Sequence, residues 1–526
     1  MNPLFEMRKF TRFGLGLRRY LRTPLSLDDS RRRVGYFLAH REDHFLSVME
    51  KAIYGRDQHP YHRLLRLAGI SLGGLRRMVK ADGLEGALAK LRDAGVYLTI
   101  DEFKCRIPVQ RHGETIATQA SDFDNPYLSQ YFTGATGGSR GAGTRTMIDL
   151  EFVADRAPAN ALAMDAHGAW DLPFFIWFPI LPGVAGLRSM LKNAKAGMYA
   201  ARWFTQVWPD DVRASLVNRM GMAYILGLSR LFGVPLPRPE YVPLTDPLPV
   251  AVALAEAVRT HGGARLTTFA SSGARVCHAA KEAGLDLTGV RILVGGEPLT
   301  EARVAEMKAV GVRTIHVYYS AETSIIGAAC ATTDAHDDLH LFHDALAVIP
   351  RCRTIPGTAV EIDSLLFTSL LPSAPKILLN VELGDTACLE TRPCDCTLGA
   401  LGLVHHLRGI RSFEKLTGEG MTLLGTDLIR ILEESILPQF GGTSTDYQFV
   451  QSTVNGATQL AVRIRPALGP VDGQAVIRTL MAGLARGSDG DDLARAVWAQ
   501  AGTLSVERAE PSVTATGKVL PLHILE

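Results

Sequence analysis

Alternating helix-like and strand-like segments between residues 250 and 330 place the strongest constraint on the fold of this 526-residue chain. Apolar residues recur there at helical spacing or in short runs typical of buried strands. The predicted elements, in chain order, are helix 250–260, strand 265–270, helix 274–283, strand 290–294, helix 301–310 and strand 314–319. This alternation predicts an α/β fold with a parallel sheet, which binds ligands at the carboxyl ends of its strands.

The segments on either side predict further parts of the molecule. Helical spacing precedes the sheet region, and short strands follow it. These segments are helices 30–54, 60–68 and 83–94, strand 96–100, and strands 365–370, 376–381 and 387–390. Beyond them, helix 424–434, strand 459–465, helix 473–484 and strand 504–508 form an α+β pattern. We expect a helical N-terminal extension (1–60), a large domain with α/β sheets and a β-rich part (61–409), and a small mobile C-terminal α+β domain (410–526).

The charge and the cysteine content of the chain indicate which partners and which cellular compartment to expect. Lys and Arg total 56 against 54 Asp and Glu, for a net charge of +2, so we expect no nucleic-acid partner. The seven cysteines are an odd number in a large chain, which favours a reducing cytoplasm over a disulfide scaffold. Residues 1–22 are basic and amphipathic. A solvated helix packed on the domain is the preferred interpretation, and an anionic membrane surface is the alternative.

A glycine-rich segment, T-G-A-T-G-G-S-R-G-A-G-T-R-T, runs from Thr133 to Thr146. Its glycines allow backbone N–H groups to turn inward, and its hydroxyls and arginines add donors for a polyphosphate. It lacks the Lys-Ser/Thr of a Walker loop and the G-x-G-x-x-G of a dinucleotide fold. A flexible surface loop would have the same composition, so other motifs must decide.

Two predicted strands end in loops suited to a ligand site. Gly295-Gly296-Glu297 follows the strand over 290–294, and absent side chains there would let a flat ring approach the backbone. Tyr318-Tyr319-Ser320-Ala321-Glu322 ends the next strand with aromatics, a hydroxyl and a carboxylate. Both loops belong at one edge of a parallel sheet.

Together these motifs resemble those of the adenylate-forming enzymes, in the order of that family. Thr133 to Gly141 follows its phosphate loop S-G-T-T-G-x-P-K-G, with Ser for Pro and Arg140 for Lys. Tyr318 to Glu322 resembles Y-G-x-T-E, although Tyr319 replaces Gly and Ala321 replaces a hydroxyl residue. Leu383-Gly384-Asp385 resembles T-G-D.

Two later segments extend the likeness. The run from Arg408 to Lys415 resembles the hinge G-R-x-D-D-x-I-K, with Arg411 at the Arg and no acidic pair. The run Thr514 to Val519 resembles the terminal R-T-x-x-G-K-V and supplies Lys518. The likeness covers roughly residues 60 to 526.

The resemblance implies ATP and Mg²⁺ as cofactors, and it implies residue roles. Tyr318 would stack on adenine, Asp385 would accept the ribose hydroxyls, and Glu322 would bind Mg²⁺. Catalysis would use Lys518, Arg140 and Glu322, because cations offset the repulsion between a carboxylate and a phosphate. The implied nucleotide-binding residues are Thr133, Gly134, Thr136, Gly137, Gly295, Gly296, Glu297, Tyr318, Tyr319, Ser320, Asp385 and Arg411.

Leu339-His340 with Asp344, and Cys394-Asp-Cys396 just before the hinge, resemble one branch of that superfamily. Within the superfamily the chain is therefore most similar to phenylacetate–CoA ligases and fatty acyl-protein synthetases. The implied activity is conversion of an aryl or fatty acid to an acyl-adenylate, followed by transfer to CoA or an acyl carrier protein. A hydrophobic acid is expected because the aromatic run Phe174 to Pro182 could line an apolar pocket. Buried core is the default interpretation of that run. An amide- or ester-forming synthetase and a non-catalytic nucleotide- or acyl-binding relative are the alternatives.

The cysteines and histidines near residue 394 raise the question of a metal. Cys394 and Cys396, with Cys388, His405 and His406 nearby, form a C-x-C pair that is poorly spaced for zinc, and no second pair is evident. Reduced thiols are therefore the expectation. Cys330 is a candidate acyl carrier or an inert buried thiol, and His340 has no partner that the sequence identifies.

Overall fold

A computed structural model describes residues 3–128, 131–135, 145–181, 183–206, 216–297, 299, 301–333, 335–354, 361–412, 415–418, 421–424, 428, 431–442, 446–454, 457–484, 504–512 and 522–524. Its α-helices are α1 (Pro3–Arg22), α2 (Leu27–Ala39), α3 (Arg41–Val48), α4 (Pro60–Leu67), α5 (Leu72–Asp93), α6 (Ile100–Phe103), α7 (Leu150–Ala166), α8 (Ala185–Lys195), α9 (Leu216–Leu231), α10 (Leu248–His261), α11 (Ala270–Glu282), α12 (Glu301–Lys308), α13 (Leu437–Phe440) and α14 (Gly473–Leu484).

The strands belong to one large sheet and several small ones. They are β1 (Val109–Arg111), β2 (Glu114–Ile116), β3 (Tyr131–Ala135), β4 (Arg145–Asp149), β5 (Phe174–Trp177), β6 (Ala200–Thr205), β7 (Pro239–Tyr241), β8 (Ala264–Phe269), β9 (Val290–Gly295), β10 (Arg313–Ser320), β11 (Ser324–Ala329), β12 (Leu339–Leu341), β13 (Leu346–Thr354), β14 (Glu361–Ser369), β15 (Val381–Thr391), β16 (His405–Ser412), β17 (Lys415–Gly418), β18 (Met421–Leu424), β19 (Tyr447–Val454), β20 (Ala457–Ile464), β21 (Leu504–Arg508) and β22 (Leu522–Ile524).

The large sheet has a parallel half and an antiparallel half that meet at β10. Among the described residues its order is β13-β14-β15-β16-β12-β11-β10-β9-β8-β5-β6-β7. Strands from β7 to β10 pair in parallel, and those from β10 to β13 pair antiparallel. The chain runs outward through β5, β6 and β7 and then returns to β8 beside β5. That reversal is the topological switch point at which such sheets form a crevice.

The alternating region follows the sequence prediction closely. Helices α10, α11 and α12 alternate with strands β8, β9 and β10, so the predicted order and parallel pairing are confirmed. All six residues of β8 are buried, since helices cover both faces of a parallel sheet. The predicted helix 473–484 and strand 504–508 are confirmed as α14 and β21.

Two predicted strands are wrong, for a common reason. Residues 96–100 form only a single bridge, Leu98 to Val381, and Ile100 already begins α6 behind the N-cap Thr99. Residues 376–381 form a bridge between Lys376 and Asp124 before β15 begins at Val381. Short apolar runs indicate burial, and periodicity alone does not separate a strand from buried coil.

The remaining elements lie in the N-terminal and C-terminal regions of the chain. The N-terminal region is helical from α1 to α5, with a π-helical turn over Met49–Tyr54. A sheet of order β21-β20-β19-β22 lies in the C-terminal region. The expected boundary near residue 409 falls within β16, and the three-part division remains a prediction. No helix among the described residues has the length and apolarity that a bilayer span requires.

Candidate active site

The first predicted loop is built from glycines that allow close packing. A Cβ atom at Gly295 would overlap the backbone oxygen of Val317 and approach the Tyr319 ring. Gly296 has a φ of +79°, a conformation that L side chains rarely adopt. The lack of a side chain at Gly295 therefore allows the end of β9 to pack closely against β10.

Glu297 of the same loop is engaged within the protein. Its carboxylate accepts hydrogen bonds from the Ser271 backbone N–H (2.8 Å) and hydroxyl (2.9 Å), and it lies 3.4 Å from Arg303 Nη1. Both charged side chains of that pair are buried. Glu297 thus anchors the loop to the start of α11, and its contact with a nucleotide stays a prediction.

Tyr318 and Asp385 lie together although 67 positions separate them. The Tyr318 hydroxyl donates to Asp385 Oδ2 at 2.6 Å, and both residues are buried. Burial, reinforced by the neighbouring Asp385 carboxylate, raises the pKa of Tyr318 well above its ordinary value. The residues proposed for adenine and ribose therefore share one location.

Glu322 is buried and paired with a lysine from the N-terminal region. Lys104, just after α6, donates to Glu322 Oε1 at 2.7 Å. Ser320 Oγ accepts the Thr323 backbone N–H at 3.1 Å and bonds Thr323 Oγ1 at 2.9 Å, which stabilises the turn. A carboxylate held in this turn could bind a divalent cation if Lys104 shared it or gave way.

Arg188 connects the turn that holds Glu322 to strand β4. Its guanidinium donates to the backbone oxygen of Ala321 at 2.9 Å and to that of Met147 at 3.2 Å. Met147 lies on β4, which pairs antiparallel with β3. Burial lowers the pKa of Arg188 to about 10, and Glu322 opposes that shift. Strand β4, which follows the proposed phosphate loop in sequence, and the turn that carries the proposed metal carboxylate are thus adjacent.

Tyr319, which stands where the family has Gly, points into a buried polar network. Lys192 Nζ donates to the Tyr319 hydroxyl at 2.7 Å, and that hydroxyl lies 3.3 Å from Asn160 Oδ1. Asn193 Oδ1 then accepts from Asn160 and from Arg265, each at 3.2 Å. Burial lowers the pKa of Lys192 well below its ordinary value, and the neighbouring arginines lower it further. The network ties α7 and α8 to the sheet.

Of the remaining residues proposed for the site, some lie within the described residues and some lie outside them. Thr133 and Gly134 are in β3, and Arg411 is in β16 opposite Thr386, one position from Asp385 in the pairing. Thr136, Gly137, Arg140 and Lys518 lie outside the described residues. Their assigned roles stay predictions.

Three site residues were missed by the sequence analysis. Arg188 and Lys192 are four positions apart in α8, so they share a helix face; Lys192 is buried and Arg188 is half-buried. Basic residues at helical spacing among apolar ones were the available signal. Lys104 had no local signal, because its partner is 218 positions away.

Comparisons with known proteins address the fold. No protein-family model and no curated protein matches this chain. The structure of 2-hydroxyisobutyryl-CoA ligase in complex with 2-HIB-AMP and CoA matches with a TM-score of 0.53 and 16% identity, over 92% of this chain and 90% of that one. The amide bond synthetase McbA from Marinactinospora thermotolerans gives 0.42 and 13%, over 88% and 92%.

The first of these matches carries the conclusion, since its TM-score is above one half and nearly the whole of each chain is covered. At such low identity the likeness speaks to the fold alone. It agrees with the ordered motifs and with the large sheet followed by a smaller C-terminal α+β region. The protein therefore has the fold of the adenylate-forming enzymes.

Proposed function

We propose that the protein activates a carboxylic acid with ATP and transfers the acyl group to a thiol, that of CoA or of a carrier protein. In the first step a carboxylate oxygen bonds to the α-phosphorus of ATP, and pyrophosphate leaves. In the second step the thiol sulfur bonds to the carbonyl carbon of the acyl-adenylate, AMP leaves, and the thiol proton passes to solvent. AMP makes a poor electrophile reactive by serving as its leaving group.

The observation that carries this proposal is the convergence of separate motif segments. The Tyr318–Asp385 hydrogen bond and the Arg188 contacts to Ala321 and Met147 bring together β4, the end of β10 and β15. These segments are distant in sequence, and each lies in or beside a motif that resembles a nucleotide-binding one. If each motif served only its own local structure, the three segments would have no reason to lie together.

The residues present suit ATP and Mg²⁺. Asp385 has oxygens suited to ribose hydroxyls, and Glu322 supplies the hard oxygen ligands that Mg²⁺ prefers. When bound, the metal would offset negative charge on the phosphates. Arg140 and Lys518, outside the described residues, are proposed as the further cations at the α-phosphate.

The switch point between β5 and β8 supports a hydrophobic acid. Phe174 to Trp177 form the buried strand β5, which confirms core packing for that part of the aromatic run. Phe178, just beyond β5, meets Phe269 at the end of β8 edge to face, with centroids 4.6 Å apart. Aromatic side chains at the crevice of a parallel sheet suit an aryl or acyl group.

One contact favours a second candidate, nucleotide binding without turnover. The Lys104 ammonium already neutralises Glu322, the carboxylate proposed for Mg²⁺. If that pair persisted with ATP bound, the chain would bind nucleotide without supporting adenylation. Pyrophosphate exchange separates the two candidates, because only the first one forms an acyl-adenylate.

The test is ATP–pyrophosphate exchange over C2 to C12 acids and substituted benzoates, with CoA withheld. Exchange should appear with hydrophobic acids. The binding free energy of the acid should become more favourable by roughly 0.8 kcal/mol for each additional buried methylene until the acyl pocket is full. Lys518→Ala should abolish exchange while ATP still binds, and Lys281→Ala on the α11 surface is the matched control. ATP binding without exchange for any acid would favour the second candidate, and absence of ATP binding would contradict both.

Addition of the acceptor identifies the second step. CoA should release AMP and yield a thioester detectable by mass spectrometry. Release of AMP by amines but not by thiols would instead indicate an amide-forming synthetase.

A further inference from the structure

Four side chains of metal-ligating type, two near residues 330–340 and two near residue 395, converge away from the proposed active site. They are Cys330, His340, Cys394 and Cys396, and we call them the thiol–imidazole cluster. Their ligand atoms all lie within 4.8 Å of one another. Cys330, His340 and Cys396 are buried, and Cys394 is half-buried. The second pair of ligands that the C-x-C spacing lacked in the sequence is therefore supplied by the fold.

We propose that the thiol–imidazole cluster binds one Zn²⁺ in tetrahedral Cys₃His coordination. Three soft thiolates and one imidazole are the donors of closed structural zinc sites. Zn–S bonds of about 2.3 Å and a Zn–N bond of about 2.0 Å place tetrahedral donor atoms roughly 3.5 to 3.8 Å apart. The observed spacings are comparable: 3.4 Å between the Cys330 and Cys394 sulfurs, and 3.0 Å from Cys396 Sγ to His340 Nε2. Small shifts would complete the coordination.

The imidazole is already oriented as a metal ligand. His340 Nδ1 lies 2.7 Å from the backbone oxygen of Leu403 and donates to it. That bond leaves the lone pair on Nε2, which faces Cys396. A hydrogen bond from the other ring nitrogen to a carbonyl is the usual support of a zinc-bound histidine.

The C-x-C turn is also shaped around its sulfurs. The Gly399 N–H donates to Cys396 Sγ at 3.3 Å, which would stabilise a thiolate. A Cβ atom at Gly399 would overlap the backbone oxygen of Cys394, so the turn requires glycine. The Cys330–Cys394 separation of 3.4 Å exceeds the roughly 2.05 Å of a disulfide, and both thiols are free.

The position of the cluster indicates a structural role. Cys330 follows β11, His340 lies in β12, and the C-x-C pair lies between β15 and β16. Strands β11, β12 and β16 are neighbours in the sheet. The six-residue strand β11 separates Cys330 from the turn over 321–323, which we call the Glu322 turn, by about 20 Å at the rise per residue of a strand. A metal here would crosslink the strands that also carry the Glu322 turn and Asp385.

Binding would follow ordinary thiol chemistry. Each of the three cysteine thiols gives its proton to solvent as its sulfur bonds to the metal, and no oxidant or reductant is needed. Cys394 is half-buried and next to exposed Thr332, which leaves an access route for the ion.

The test is the metal content of the full-length protein produced in zinc-supplemented medium and dialysed. Mass spectrometry of the metals should find about one Zn²⁺ per chain, and Cys394→Ser/Cys396→Ser should retain less than about a tenth of that. The matched control, Cys352→Ser/Cys388→Ser, replaces two exposed cysteines outside the cluster and should keep the full content. Wild-type protein without zinc, or equal zinc in both double variants, would overturn the proposal.

Cobalt bound to the wild-type protein gives a readout that depends neither on activity nor on the folding of a variant. Wild-type protein reconstituted with Co²⁺ should show the intense visible bands of a tetrahedral ion and sulfur-to-cobalt charge transfer. His340→Ala should alter the bands and keep the charge transfer, because three thiolates remain. Weak octahedral bands in the wild type would overturn the assignment. Since metal content is measured without substrate, failure of the adenylation proposal would leave this result unaffected.

Discussion

The Tyr318 hydroxyl and the Asp385 carboxylate form a 2.6 Å hydrogen bond although three strands lie between β10 and β15 in the sheet order. Four strand spacings in a flat sheet amount to about 19 Å, farther than the two side chains reach. The antiparallel half must therefore curl strongly. That curvature brings the proposed adenine and ribose contacts together.

Asp385→Ala should raise the KM for ATP in pyrophosphate exchange by about tenfold to a hundredfold, because hydrogen bonds to a charged acceptor contribute roughly 1.5–3 kcal/mol. Tyr318→Phe should have a smaller effect, about fivefold, since it removes one neutral donor and keeps the ring. The exposed Asp93→Ala is the control. A KM for ATP unchanged in Asp385→Ala would remove Asp385 from the nucleotide site.

Substitutions of Lys104 and of Glu322 should change the Mg²⁺ dependence of pyrophosphate exchange in opposite directions. Lys104→Met should lower the Mg²⁺ concentration needed for half-maximal exchange, because a competing cation is gone. Glu322→Gln should raise that concentration and slow exchange by about a hundredfold or more, since a metal ligand is lost. Lys90→Met removes an exposed lysine paired with Asp82 and should change neither value. Identical Mg²⁺ curves for all three variants would contradict the metal role of Glu322.

Tyr319→Phe should destabilise the protein by about 1–3 kcal/mol, because the buried Lys192 loses its hydroxyl partner. Adding Lys192→Met should recover most of that loss, since an apolar side chain needs no partner in the core. Urea unfolding measures both, with Tyr199→Phe at an exposed tyrosine as control. If the double variant were less stable than Tyr319→Phe, Lys192 would have a favourable role beyond this bond.

The buried imidazole of His316 should lower the free energy of unfolding of the protein at acidic pH. Burial lowers the pKa of His316 from 6.5 to about 4. Between those values the unfolded chain binds the proton and the folded chain does not, so the free energy of unfolding decreases as pH falls from 6.5 to about 4. His316→Asn should remove roughly 3 kcal/mol of that pH dependence.

Urea unfolding at several pH values measures the effect of His316. The control His261→Asn, at an exposed position, should follow the wild type. Equal acid sensitivity in wild type and His316→Asn would show that His316 is not buried in its neutral form.

Local patterns determined much of this fold. The helices and strands from α10 to β10, and α14 near the C-terminus, were predictable because three-to-four-residue and short apolar periodicities report which face of an element is buried. The motifs around Tyr318 and Asp385 were recognised from residue types in a fixed order, and the structure brings those two residues together, while the role of the glycine-rich segment stays a prediction. The buried runs at residues 96–100 and 376–381 were misread, since burial without periodicity does not specify a strand.

Only the tertiary structure decided which distant side chains meet. Lys104 faces Glu322, Arg188 joins the turn at Ala321 to β4, and Cys330 and His340 join Cys394 and Cys396, in each case across long stretches of chain. No local pattern encodes these contacts, because they depend on strand order and sheet curvature. The sequence determined the chemical groups available to this protein, and the pairing of its strands determined which of them act together.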